Sequence, residues 1–75
     1  MPYNGHRNWN YWNVSLWINN DEPLYRTALR YVRYNRTKTE AAKDMLAHLN
    51  ELGMTKTPDG AKFTVYSIRA AMVEM

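Results

Sequence analysis

The chain has 75 residues, a formal net charge of +3 and no cysteine. This length allows one domain with a small core, since so short a chain buries only about 60% of its unfolded surface, and without cysteine neither disulfides nor thiolate–zinc centres can staple it. Three Trp, six Tyr and five Met are the expected compensation for small size, and the basic balance favours acidic partners such as nucleic acid.

No apolar run approaches a membrane span, and the opening residues have no apolar signal core. A cytoplasmic protein without membrane association is therefore expected. Residues 1–8, with Pro2 and Gly5, read as an irregular arm.

Residues 9–19 fit two patterns. Trp12, Val14, Leu16 and Ile18 alternate as in a strand, while Trp9, Trp12 or Asn13, Leu16 and Trp17 recur at helical spacing. Asn8 or Asn10 as a cap, and the helical character of residues 20–34, favour a helix. In residues 20–34, Asn20 or Asp21 precedes Glu22 and Pro23, an acidic cap followed by a first-turn proline. Leu24, Ala28, Tyr31 and Val32 then form an apolar stripe, and Asn35 is the stop.

Residues 37–52 open with Thr37 and Glu40 spaced as a capping box. Ala41, Met45, Leu49 and Leu52 share one face, joined by Ala42 and Leu46, and Gly53 is the left-handed stop. Pro58, Asp59 and Gly60 mark a turn. Thr64 caps a last helix over 64–75, with Val65, Ile68, Met72 and Met75 on one side. The expectation is an all-α fold: one domain over 1–75, a small bundle of about four short helices.

Catalytic chemistry is not visible. His6 and His48 have no companion at helical spacing, so metal binding is not expected. Gly5, Gly53 and Gly60 are isolated and form no phosphate loop, and Ser15 and Ser67 have no neighbouring His or Asp. A non-enzymatic binding protein without cofactor is the expectation.

Residues 41–72 place Leu49, Asn50 and Gly53 before Thr57 and Gly60, then Phe63 and Thr64, then Ile68 and Arg69. This pattern resembles the helix-turn-helix DNA-binding region of serine recombinases. The resemblance implies a C-terminal helix-turn-helix-like hairpin that reads duplex DNA, without recombination, because the catalytic part is missing. The segment from Met54 to Phe63 is longer than the ~3–4 residues of a minimal turn, which leaves room for a β-turn or wing. A helix entering the major groove presents its first residues to base edges. Those would be Val65, Tyr66, Ser67 and Arg69 after the Thr64 cap, with Lys56 and Lys62 on phosphates. The plainer alternative is a helical hairpin without ligand, with Phe63, Ile68 and Met72 as core. Arg26, Arg30 and Arg33 also share a face, extended by Arg36 and Lys38. Such a stripe neutralises phosphates, or is simply a solvated helix face.

In residues 3–25, Tyr3, Asn4 and Gly5 lead to Asn8, Trp12, Asn13 and Val14, then Leu16 and Trp17, then Asn20, Asp21, Glu22, Leu24 and Tyr25. This pattern is similar to that of a family of small uncharacterised phage, plasmid and bacterial proteins, with Trp9 standing where that family has Tyr. The resemblance implies a phage or mobile-element origin and no particular mechanism. The ordinary reading of Trp9, Trp12 and Trp17 is core packing, although three are hard to bury together in so short a chain. The alternative is an aromatic surface that docks a host protein, as in an anti-defence or anti-CRISPR-like inhibitor. Duplex DNA is the first expected partner, a host protein the second, and a homodimer is compatible with both.

Overall fold

The computed structural model describes residues 7–75, so the pattern positions Tyr3, Asn4 and Gly5, the histidine at His6 and the first six residues of the expected irregular arm over 1–8 lie outside the described residues. Four helices succeed one another: α1 (Trp9–Asn20), α2 (Glu22–Tyr34), α3 (Lys38–Glu51) and α4 (Val65–Ala71). The architecture is a small all-α bundle. Among the described residues each helix adjoins two others: α1 lies between α2 and α4, and α3 also lies between α2 and α4. The four close into a ring around a core that includes Val14 and Ile18 of α1, Met45 and Leu49 of α3, and Ile68 and Met72 at α4.

Short polar side chains start every helix. Asn8 accepts from the Tyr11 amide at 3.0 Å, and Thr37 accepts from the Glu40 amide at 3.1 Å. Asp21 serves two helices: its amide donates to the Trp17 carbonyl at 2.9 Å and its carboxylate accepts from the Leu24 amide at 3.2 Å. The reciprocal capping box stands on α4, where the Thr64 hydroxyl accepts the Ser67 amide and the Ser67 hydroxyl accepts the Thr64 amide.

Gly53, at φ +77°, closes α3 with a Schellman turn: the Met54 amide donates to the Leu49 carbonyl and the Gly53 amide to Asn50. Leu52, the C-cap of α3, is 62% exposed instead of joining the core stripe. The last helix is shorter than the expected 64–75. It ends at Ala71, and the Met72 amide is shared between the Ile68 and Arg69 carbonyls.

Between α3 and α4 the chain forms a small hairpin. The Gly60 amide donates to the Thr57 carbonyl at 2.9 Å and the Thr57 amide to the Ala61 carbonyl at 2.8 Å. Lys56 and Lys62 stand opposite each other in a single antiparallel bridge. Gly60, at φ +97°, occupies the left-handed position that closes such a turn.

Helix α1 grips this hairpin with side chains. Asn10 reads the Lys62 backbone twice, donating to its carbonyl at 3.0 Å and accepting from its amide at 2.8 Å. Asn13, buried, accepts from the Thr57 hydroxyl at 2.6 Å and donates to the Asp59 carboxylate at 2.9 Å. An ionised carboxylate only accepts, so the Asn13 amide nitrogen must face Asp59 and its oxygen Thr57. The Trp17 indole N–H donates to the same Asp59 oxygen at 3.0 Å. Positions 10, 13 and 17 share a face only at the helical period; in a strand, 10 and 13 point to opposite sides. The grip therefore selects helix over strand for this segment.

Only two apolar side chains of α1, Val14 and Ile18, are fully buried. Each contributes about 1.5–3 kcal/mol, so several hydrogen bonds at about 1 kcal/mol each are a comparable share of what holds α1. Asn13→Ala, which takes the acceptor from the buried Thr57 hydroxyl proton, is expected to cost about 1–2 kcal/mol in urea unfolding. Asn20→Ala, whose exposed amide donates only to the Leu16 carbonyl, should stay within about 0.5 kcal/mol of the parent.

The hydrogen bonds from Asn13 and then Trp17 hold the Asp59 carboxyl below the usual Asp range. A carboxyl depressed in the folded state adds stability that is fully present above its unfolded pKa and is lost as pH falls through the folded value. An NMR titration should find Asp59 low, raised by Trp17→Phe and raised further by Asn13→Ala. An unmoved titration in both variants would contradict the assignment.

Candidate nucleic-acid interface

The candidate phosphate ligands fall into two groups; Arg7 and Lys43 belong to neither. The first lies on α2 and at its joint with α3. Arg26, Arg30 and Arg33 are exposed along α2, and Arg36 is exposed just beyond Asn35, which ends the helix. Arg26 is ion-paired with Glu22 one turn earlier. Among the described residues this is the one ion pair, so the other nine of the chain's 10 Lys and Arg side chains have no carboxylate partner. Tyr34, 76% exposed, stands beside Arg33 in sequence.

Tertiary contacts bring α4 to this joint. Arg69 donates from Nη1 to the Thr39 hydroxyl at 3.3 Å, and Lys38 donates from Nζ to the Val73 carbonyl at 2.7 Å. Lys38 and Arg69, far apart in sequence, thus come to the place where α3 begins and α4 ends, and Arg36 stands two residues before Lys38.

The second group is Lys56 and Lys62 on the hairpin, beyond the other end of α3. A helix of 14 residues, as α3 is, is about 21 Å long. The fold therefore does not gather all the candidate phosphate ligands at one spot.

Helix α4 presents less than the sequence suggests. Ser67 is fully buried as the capping-box partner of Thr64 and cannot touch a base; this corrects its place among the candidate contacts. Val65 packs against the core, and Thr64 is half-buried as the cap. Tyr66 and Arg69 are the exposed residues of α4. Most positions shared with the recombinase pattern carry structural duties: Leu49, Thr57, Phe63 and Ile68 are buried, and Gly53 and Gly60 are left-handed.

The three tryptophans are not core. Trp9 is 39% exposed, and Trp12 and Trp17 are half-buried. Among the described residues, the one aromatic ring in the buried core is that of Phe63. Nor do they form one aromatic patch. Trp12 lines a groove of about 680 Å³ between α1 and α4, whereas Trp17 lines a separate groove between the hairpin and the starts and ends of α1, α2 and α3. His48 packs its ring against Tyr31, centroids 6.0 Å apart.

The long-range group of Arg36, Lys38 and Arg69 is not visible as a unit in the sequence; only its members are. The grip of α1 on the hairpin is not found from the sequence at all, and the one available signal is the Asn spacing at 10 and 13 before Trp17.

Because Ser67 faces inward, Ser67→Ala should lower stability by about 1 kcal/mol and leave affinity for duplex DNA unchanged. A weakened complex with intact folding would return Ser67 to the interface.

Comparison with known proteins adds a family and no more. No curated protein and no solved structure matches the chain. A family model described as "Family of unknown function (DUF7249)" matches residues 1–75, spanning both the Asn- and Trp-rich helix and the hairpin it holds. The chain belongs to this family of unknown function, DUF7249.

Proposed function

We propose that this protein binds duplex DNA without catalysis, through a basic surface formed by Arg30, Arg33 and Arg36, Lys38 and Arg69. The observation that carries the reading is that Arg69 reaches Thr39 beside Lys38 at the start of α3, with Arg36 exposed two residues before Lys38 and no ion pair on any of the three. Unpaired cations set side by side raise the energy of the free protein and are relieved by an anionic partner. Duplex DNA offers phosphates in regular array.

With Ser67 inward, α4 has two exposed side chains, Tyr66 and Arg69. Base-reading helices use about 3–4. Contact with phosphates therefore dominates over base reading. The N-terminal resemblance supports an origin in a phage or mobile element, acting in the host cytoplasm.

The second reading is an inhibitor of a host protein, an anti-defence factor acting through an aromatic or basic surface. It is favoured by the exposure of Trp9 and by the groove that Trp17 lines.

Fluorescence anisotropy of a labelled random duplex across a salt series decides between them. Log affinity should fall with log salt at a slope of roughly −0.9 per phosphate neutralised. Arg36→Ala with Arg69→Ala should flatten that slope by about one unit per arginine, alike on every sequence. Absence of binding at low salt would end the DNA reading and leave the inhibitor reading standing.

A further inference from the structure

Lys56 and Lys62 form a cross-strand pair of like charge. The bonds that flank them, Thr57 amide to Ala61 carbonyl and Phe63 amide to Thr55 carbonyl, make this a non-hydrogen-bonded pair, the geometry in which opposed side chains come closest. Like charges directly opposite destabilise a bridge, and no carboxylate is ion-paired with either lysine. The fold gains nothing from this pairing.

Lys56 also lies on the rim of an apolar groove of about 300 Å³, lined by Trp17, Leu52, Met54, Pro58 and Phe63 among others. Leu52 is 62% exposed and Met54 is 36% exposed, large side chains left in water at its edge. One carboxylate, Asp21, lines the groove, and Asp59 follows the lining residue Pro58 in sequence; both accept hydrogen bonds within the protein. Asp21 caps α2, and Asp59 accepts from Asn13 and Trp17. Lys56 is the cation that lines the groove, without an ion pair, and Lys62 stands opposite it.

We infer that this groove docks a partner protein through an acidic segment, seating one large apolar side chain between Leu52 and Phe63 while flanking carboxylates meet Lys56 and Lys62. The volume is at the low end of ligand pockets, ~300–1,000 Å³, which suits a single anchoring side chain. A flexible Met at the edge allows the wall to fit it. Phosphates alone would leave the apolar wall unused, and the pair stands at the other end of α3 from the cluster of Arg36, Lys38 and Arg69. The inference is independent of the DNA reading.

The test is selection of a random peptide library on the immobilised full chain, then calorimetry of a synthetic peptide from the selection. The expected consensus is one large apolar residue beside Asp or Glu. Leu52→Asp and Lys56→Glu should each weaken that peptide by about tenfold or more, some 1.4 kcal/mol. Lys56→Glu should at the same time raise the thermal midpoint, because it replaces a Lys–Lys pair by a Glu–Lys pair. Binding lost while stability rises cannot come from misfolding. A consensus without acidic residues, or a peptide indifferent to Lys56→Glu, would overturn the inference. So would duplex DNA binding abolished by that variant, which would place the pair in the nucleic-acid surface.

Discussion

Asn10, Asn13 and Trp17 project from one face of α1 onto the hairpin that joins α3 to α4, and the geometry of the whole bundle rests on that contact. The dependence comes from the size of α4. Seven residues are far below the ~12–15 that a helix needs to persist alone in water. Helix α4 stands because Thr64 and Ser67 cap it, because Ile68 and Met72 are buried, and because the hairpin delivers its first residue to the right place. Asn10 fixes the Lys62 backbone two residues before that cap, and the Ser67 hydroxyl reaches the same Lys62 carbonyl at 3.3 Å. Asn19, further along α1, reaches the Ala71 carbonyl at the other end of α4 at 3.3 Å. Helix α1 thus holds α4 at both ends with amide side chains, and its apolar pair fills the space between.

Helix starts and stops are legible in the sequence because they are local. The caps at Asp21, Thr37 and Thr64, the glycine stop at Gly53 and the turn at Gly60 each depend on residues within a few positions. The character of residues 9–19 is ambiguous for a physical reason. Trp9, Trp12 and Leu16 are large and apolar yet only partly covered, so they blur the stripe that Val14 and Ile18 would otherwise define. Hydrogen bonds between residues 42 to 52 positions apart settle it, and no local pattern announces them. For the same reason the Asn- and Trp-rich segment and the segment around Gly60 read as separate modules, although they form one network. Leu52 reads as core from its spacing and is not, because spacing fixes the face of a helix and not how far along it the neighbouring helices reach.

The candidate surfaces arise from the same arrangement. Pinning α4 from both ends turns Ser67 inward and leaves Tyr66 and Arg69 outward, and it carries Arg69 to Thr39, next to Lys38 and Arg36. Folding the linker into a hairpin puts Lys56 opposite Lys62 and leaves Leu52 and Met54 at the lip of an apolar groove. One basic surface therefore lies at the start of α3 and a mixed apolar and basic one at its end.

Native-state hydrogen exchange tests the central role of the α1–hairpin contact most directly. The amides to monitor are those of Thr57, Ala61 and Lys62, which donate to the Ala61 carbonyl, the Thr57 hydroxyl and the Asn10 side chain. If α1 and the hairpin form one unit, these amides open with the same free energy as the amides of Val14 and Ile18, and Asn13→Ala lowers both sets together. Hairpin amides that exchange through a separate, low-energy opening while α1 stays protected would contradict it.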